Sequence, residues 1–152
     1  MNLRYLTLVA AAIGIIAAGS GVFYWTSAPS HAPQPDLQRG AVVYADYCAS
    51  CHGANLEGQP NWRSRMPNGK LPAPPHDANG HTWHHPDRQL FAITKYGSAA
   101  IIGNNYESDM AGFGESLSDG EIWDVLAYIK SQWPERERKV QERITRQSEA
   151  GG

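Results

Sequence analysis

Residues 48–52 read Cys-Ala-Ser-Cys-His, and this spacing constrains the chain more than any other feature. Cys-x-x-Cys-His is the attachment signature of a c-type haem. Two thiols three positions apart on a helix share a face, within reach of the two vinyl groups on one porphyrin edge. The next residue, His52, then supplies an imidazole nitrogen to the iron as its proximal ligand. Other readings of a cysteine pair lack what they need. A structural zinc site wants two further ligands at metal spacing, and Cys48 and Cys51 are the only cysteines. A thioredoxin-type redox pair wants a βαβ setting, which this sequence does not offer.

With 152 residues and one membrane-sized apolar segment, there is room for a single soluble domain of about 100 residues. A core that small gains from a covalently held haem, which supplies an apolar plate for side chains to pack on. The net charge of −2 leaves no basic footprint for nucleic acid. Two cysteines committed to haem leave none for a disulfide, so cysteine usage does not report the compartment.

From Tyr5 to Trp25 no side chain is charged. Leu6 to Tyr24 covers roughly 28 Å as a helix, enough to cross a hydrocarbon core. Arg4 favours a cytoplasmic start, and Phe23-Tyr24-Trp25 suits the far headgroup level. The expectation is a single N-terminal pass through a bacterial inner membrane, with the soluble domain in the periplasm. The competing reading is a cleaved signal peptide. Its h-region would be long, and the small-residue positions near Ala28 and Ala32 are each followed by proline. Residues 1–26 are therefore read as an anchor and the proline-rich residues 27–35 as an extended tether.

Asp36 can cap a helix whose apolar positions Leu37, Ala41, Tyr44 and Ala45 run into Cys48. From Gly53 to His85, prolines and glycines leave no run long enough for a helix or strand. A loop of that length is expected to wrap something, here the haem edge. Pro86, Asp87 and the apolar Leu90, Phe91 and Ile93 predict a short helix ending at Gly97. Ser98 to Gly114 reads as a glycine-containing loop holding Met110. Ser118-Asp119-Gly120-Glu121 is a capping box that opens a helix with Ile122, Val125, Leu126 and Ile129 on one stripe. Residues 134–152 are mostly charged and read as a solvated helix that frays into a disordered end.

Three helical stretches, a haem motif ending the first and a methionine loop before the last resemble the class I cytochromes c. The resemblance covers residues 36–133 and implies an all-α, cytochrome c-like domain around one covalent haem c. Beyond Cys48 to His52, its most specific residues are Met110-Ala111-Gly112-Phe113-Gly114, Leu117-Ser118-Asp119-Gly120-Glu121-Ile122 and Ala127-Tyr128-Ile129. In the family such a methionine gives the iron its sixth ligand, so Met110 joins His52 as an implied metal ligand. The family more often has Met-Pro-x-Phe, and Ala111 stands in the proline's place. Gly40, Tyr44, Val125 and Tyr128 match the positions through which the family packs its first and last helices. Gly58-Gln59-Pro60-Asn61 resembles the turn whose proline carbonyl holds the proximal imidazole N–H, which assigns that role to Pro60.

The residues themselves leave the distal ligand open. A methionine is commonly plain core filling, and His76, His81, His84 and His85 could replace Met110 with a bis-His site or bind copper or zinc. A histidine of this cluster lying against a haem propionate would make the potential fall as pH rises near neutrality. With both axial positions filled, the site suits one-electron transfer rather than catalysis, and the chain is expected to be an electron carrier, not an enzyme. The implied partners are a quinol-oxidising complex or a dehydrogenase on one side and a terminal oxidase on the other. Two alternatives stand beside this reading. One is a copper-handling or sensing protein built on the His76–His85 cluster; the other is a fixed haem subunit of an oxidase or dehydrogenase complex.

Overall fold

The computed structural model describes residues 34–151. The anchor predicted over residues 1–26 and most of the tether over residues 27–35 lie outside them. Among the described residues there is no strand, and no helix is long and apolar enough to cross a membrane.

Asp36 opens α1 (Leu37–Val43) by accepting hydrogen bonds from the backbone N–H groups of Gln38 and Arg39, both at 3.0 Å. The helix continues as a π-helical turn over Tyr44–Cys48 and then as α2 (Ala49–His52), so the whole haem motif rides on one helical run. Ser118 and Glu121 form the reciprocal cap of α5 (Asp119–Ser131), as the sequence predicts. Its predicted stripe of Ile122, Val125, Leu126 and Ile129 is buried throughout.

The crossing of α1 and α5 is the centre of the domain. Gly40 lies so close to α5 that a Cβ there would fall 2.2 Å from the Asp124 carbonyl oxygen. Asp124, only 2 % exposed, reaches back across the crossing to the Asp36 N–H at 2.8 Å and to the Arg39 guanidinium. Tyr44 packs on Tyr128 with ring centroids 5.6 Å apart. Glycine on one helix and aromatics on both thus let two backbones nearly touch, with an ion pair closing the rim.

α3 (Asp87–Tyr96) begins one residue after Pro86 and ends at Gly97, whose φ of 88° only glycine adopts readily. The region expected to be loop from Ser98 to Gly114 begins instead with a short helix, α4 (Ser98–Ile102), bracketed by Gly97 and Gly103. Five residues are too few for the periodicity that reveals a helix in sequence.

The charged tail departs most from expectation. It is helical as expected, but α6 (Glu135–Ala150) runs to the end without fraying, packs against a 3₁₀ turn at Thr82–His84 and buries Glu137 and Gln141. Its hydrogen bonds are made by polar side chains, and only Val140 and Ile144, both half-buried, add apolar surface beside them, too narrow a stripe to announce it. Gln141 Nε2 donates to Asp87 Oδ1 at 2.6 Å, and the Asp87 N–H donates to Thr145 Oγ1 at 3.1 Å. Lys130 grips both oxygens of the same Asp87 at 2.8 and 2.9 Å. Asp87 therefore joins α3, α5 and α6.

Candidate functional site

The helical run delivers Cys48 half-buried, Cys51 exposed and His52 buried at its C-terminal end. Neither thiol is in a disulfide. Burial, with Cys51 close by, pushes the Cys48 thiol up to about 11. His52 Nδ1 lies 2.8 Å from the carbonyl oxygen of Pro74. A carbonyl can only accept, so Nδ1 carries the proton and the lone pair is left on Nε2, the atom a metal would need. Burial lowers the imidazole's pKa, opposed in part by the Pro74 bond, so the ring is neutral at physiological pH.

The role assigned to Pro60 by resemblance falls to Pro74. Directly after the motif the chain turns: the Gly58 N–H donates to the His52 carbonyl at 2.7 Å, and the Gln59 N–H donates to Ala73 O at 2.9 Å. The returning limb, Ala73 to Pro75, is thereby laid against the helix end, and a Cβ on Gly58 would sit 2.4 Å from the Pro75 nitrogen. Pro60 is exposed and borders an open cavity of about 630 Å³ with Gln59, Arg65, Met66 and Pro72. The sequence carried a signal for Pro74 only in its Pro74-Pro75 pair, because the intervening 53–73 loop could return at any length.

Met110 sits on a segment docked along the end of α3. Ser98 N–H donates to the Met110 carbonyl at 3.3 Å, and Phe113 and Gly114 N–H groups donate to Thr94 and Lys95 carbonyls, both at 3.0 Å. Gly97 and Gly112 permit this approach, since a Cβ on Gly112 would stand 2.6 Å from the Lys95 carbonyl oxygen. Half-buried Met110 turns its Sδ to Ser98 Oγ, 3.3 Å away.

The four histidines of the 76–85 segment separate. His76 lies flat on His52, with centroids 3.9 Å apart and planes at 21°. His81 stacks on Trp62 and meets His85 edge-on, at 5.4 Å in each case, while His84 stacks on Trp83 at 3.7 Å. Among the described residues, no group of three or more His, Cys, Asp or Glu side chains could hold a metal ion. The histidines that offered an alternative ligand set in sequence are divided among aromatic contacts.

An all-helical domain with paired thiols and a proton-fixed imidazole at one helix end defines a haem-attachment module. The chain belongs to the cytochrome c family: the family model described as Cytochrome c matches residues 37–133. The thiosulfate dehydrogenase of Stutzerimonas stutzeri (strain A1501) is 31% identical in an alignment of 133 positions that covers 77% of this chain and 39% of that protein. Cytochrome c-555 of Prosthecochloris aestuarii is 27% identical over 105 residues, covering 65% of this chain and 90% of its own length. No solved structure matches at the same stringency. The cofactor of the family is a covalently bound haem c, and the residues here fit it. Two free thiols in Cys-x-x-Cys-His spacing precede an imidazole whose Nδ1 is already engaged and whose Nε2 is left for iron.

Proposed function

We propose that this chain carries single electrons on one covalent haem c, held by Cys48 and Cys51, with His52 and Met110 as the two axial ligands. The observation that carries the reading is the 2.8 Å bond from His52 Nδ1 to Pro74 O, which fixes the tautomer a proximal ligand requires. When bound, the haem supplies a one-electron Fe(III)/Fe(II) couple, and a thioether ligand favours the ferrous state. The chain's own residues orient the proximal imidazole and exclude water from it, His52 being only 6 % exposed.

The apolar residues 6–24 support an N-terminal anchor that leaves the domain in the periplasm. Tethering raises the carrier's effective concentration at partners on the same membrane; these are a quinol-oxidising complex or a dehydrogenase as donor and a terminal oxidase as acceptor. The test is an optical spectrum of oxidised and reduced protein beside Met110→Ala. Loss of the sulfur-to-iron absorption in the variant, with haem still covalently attached, supports the assignment; its persistence overturns Met110 as ligand. If acid-acetone strips the colour from the wild type, covalent attachment itself fails.

The 31% identity to a thiosulfate dehydrogenase favours a second reading, in which this chain is a haem module serving thiosulfate oxidation. The chain spans about two fifths of that relative's length. Mixing the ferric protein with thiosulfate in a stopped-flow instrument decides this: reduction of the haem within the turnover range of enzymes supports it, and an unchanged spectrum removes it.

A further inference from the structure

We propose that His76 is a positioning residue for the proximal ligand: its ring, stacked flat on His52, fixes the rotational setting of that imidazole and hence the electronic state of the iron it binds. The inference rests on the reading of His52 as proximal ligand. Pro74 alone gives His52 a single tether at Nδ1. Rotation about a histidine's Cβ–Cγ bond is soft, with broad wells, so one hydrogen bond leaves the ring free to rock. A flat neighbour at 3.9 Å and 21° closes one face and removes that freedom.

His76 is itself held on three sides, as a reference surface must be. Its N–H donates to Leu56 O at 2.8 Å, and its carbonyl accepts from Trp133 Nε1 at 2.6 Å. Leu56, whose carbonyl takes this bond and a second from the Asp77 N–H at 3.2 Å, is buried in a left-handed backbone with φ of 65°. The His76 ring is fixed by Nδ1, 2.9 Å from Thr82 Oγ1. The Thr82 hydroxyl is a donor to Pro75 O at 3.5 Å, so its oxygen accepts and His76 Nδ1 bears the proton. Tyr44 meets the same ring edge-on at 6.3 Å. Burial and the two neighbouring histidines, His52 and His81, keep His76 uncharged. Partners beyond the ligand fix a metal-bound imidazole's orientation and tune the metal; here one such partner is an aromatic face as well as a carbonyl.

The experiment uses full-length, haem-loaded protein and low-temperature EPR of the ferric state, with the midpoint potential measured in parallel. His76→Phe keeps a flat face and His76→Leu keeps bulk without one. The expected result is a single ferric species with wild-type g-values for the phenylalanine variant, and shifted g-values or more than one species, with a displaced potential, for the leucine variant. Wild-type g-values in the leucine variant, or equal disturbance in both, overturn the proposal. Should either variant fail to load haem, Thr82→Val carries the test, since it frees the His76 ring without removing it: broadened g-values support the proposal and an unchanged signal sinks it. A wild-type protein with no low-spin ferric signal would instead remove His52 as ligand.

Discussion

Replacing Gly40 with alanine tests the central helix crossing. The added Cβ would lie 2.2 Å from the Asp124 carbonyl oxygen, 2.7 Å from its carbon and 2.9 Å from Tyr128 Cβ. Ordinary contact begins near 3.4 Å, so α1 and α5 must separate by about 1 Å, and the obstacle is backbone that cannot rotate away. Overpacking of this kind costs about 1–3 kcal/mol. Alanine's better helix propensity returns about 1 kcal/mol. Separation also strains the Asp124 bonds to Asp36 and Arg39, and we expect a net loss of about 1–2 kcal/mol. The control is Gly120→Ala in the first turn of α5, where the nearest atoms stand 3.9 Å away; there the propensity gain, about 0.5–1 kcal/mol, should appear alone. Urea denaturation of both haem-loaded variants, followed by circular dichroism, measures the two effects. A Gly40→Ala protein as stable as the wild type, with Gly120→Ala behaving as expected, would refute the close approach.

Asp87→Ala removes the anchor shared by Lys130 and Gln141 and should lower stability by about 1–3 kcal/mol, read as a drop in thermal midpoint. Trp133→Phe leaves the His76 carbonyl without its donor and should cost about 1–2 kcal/mol in urea titrations. Ser118→Ala deletes one arm of the α5 capping box; a loss of about 1 kcal/mol is expected by the same titrations. Burial lowers the pKa of both His81 and His85 in the folded chain, helped by His85 and His84 against His81 and by His84 against His85. As pH falls the unfolded chain takes up these protons first, so stability is full above about pH 6.5 and declines as pH drops towards the lower folded values. Denaturation midpoints at a series of pH values should show this decline, and His81→Gln/His85→Gln should make it shallower while leaving the share of His76, whose pKa burial also lowers.

How far the residues announced this structure depends on whether the contact was local. The Asp36 and Ser118 caps, the α5 stripe and the Gly97 stop are set within a few residues of themselves, and the structure has each where the pattern placed it. The crossing at Gly40 and Tyr128 was legible only through the resemblance to the cytochromes c, and the structure has it there. Contacts closed by a long irregular loop were invisible: Pro74 meets His52 across 22 positions and Trp133 meets His76 across 57. The docking of α6 escaped notice for another reason. Its hydrogen bonds join Gln141 and Thr145 to Asp87, with only half-buried Val140 and Ile144 beside them, and amphipathic patterning detects wide apolar faces. The histidine cluster has no helical spacing to organise it as a ligand set, and its rings settle into separate aromatic contacts.

The bond from His52 to Pro74 is made to main chain, and this has a consequence for how the site can vary. A peptide oxygen has no side chain to lose, so no single substitution deletes it. What the loop over residues 53–73 must preserve is its return path, and that path constrains it at Gly58, where a Cβ would meet the Pro75 nitrogen. A search for the partner of the imidazole by residue type is thus drawn to whichever proline follows a glycine turn. What decides the contact is where a backbone comes to rest.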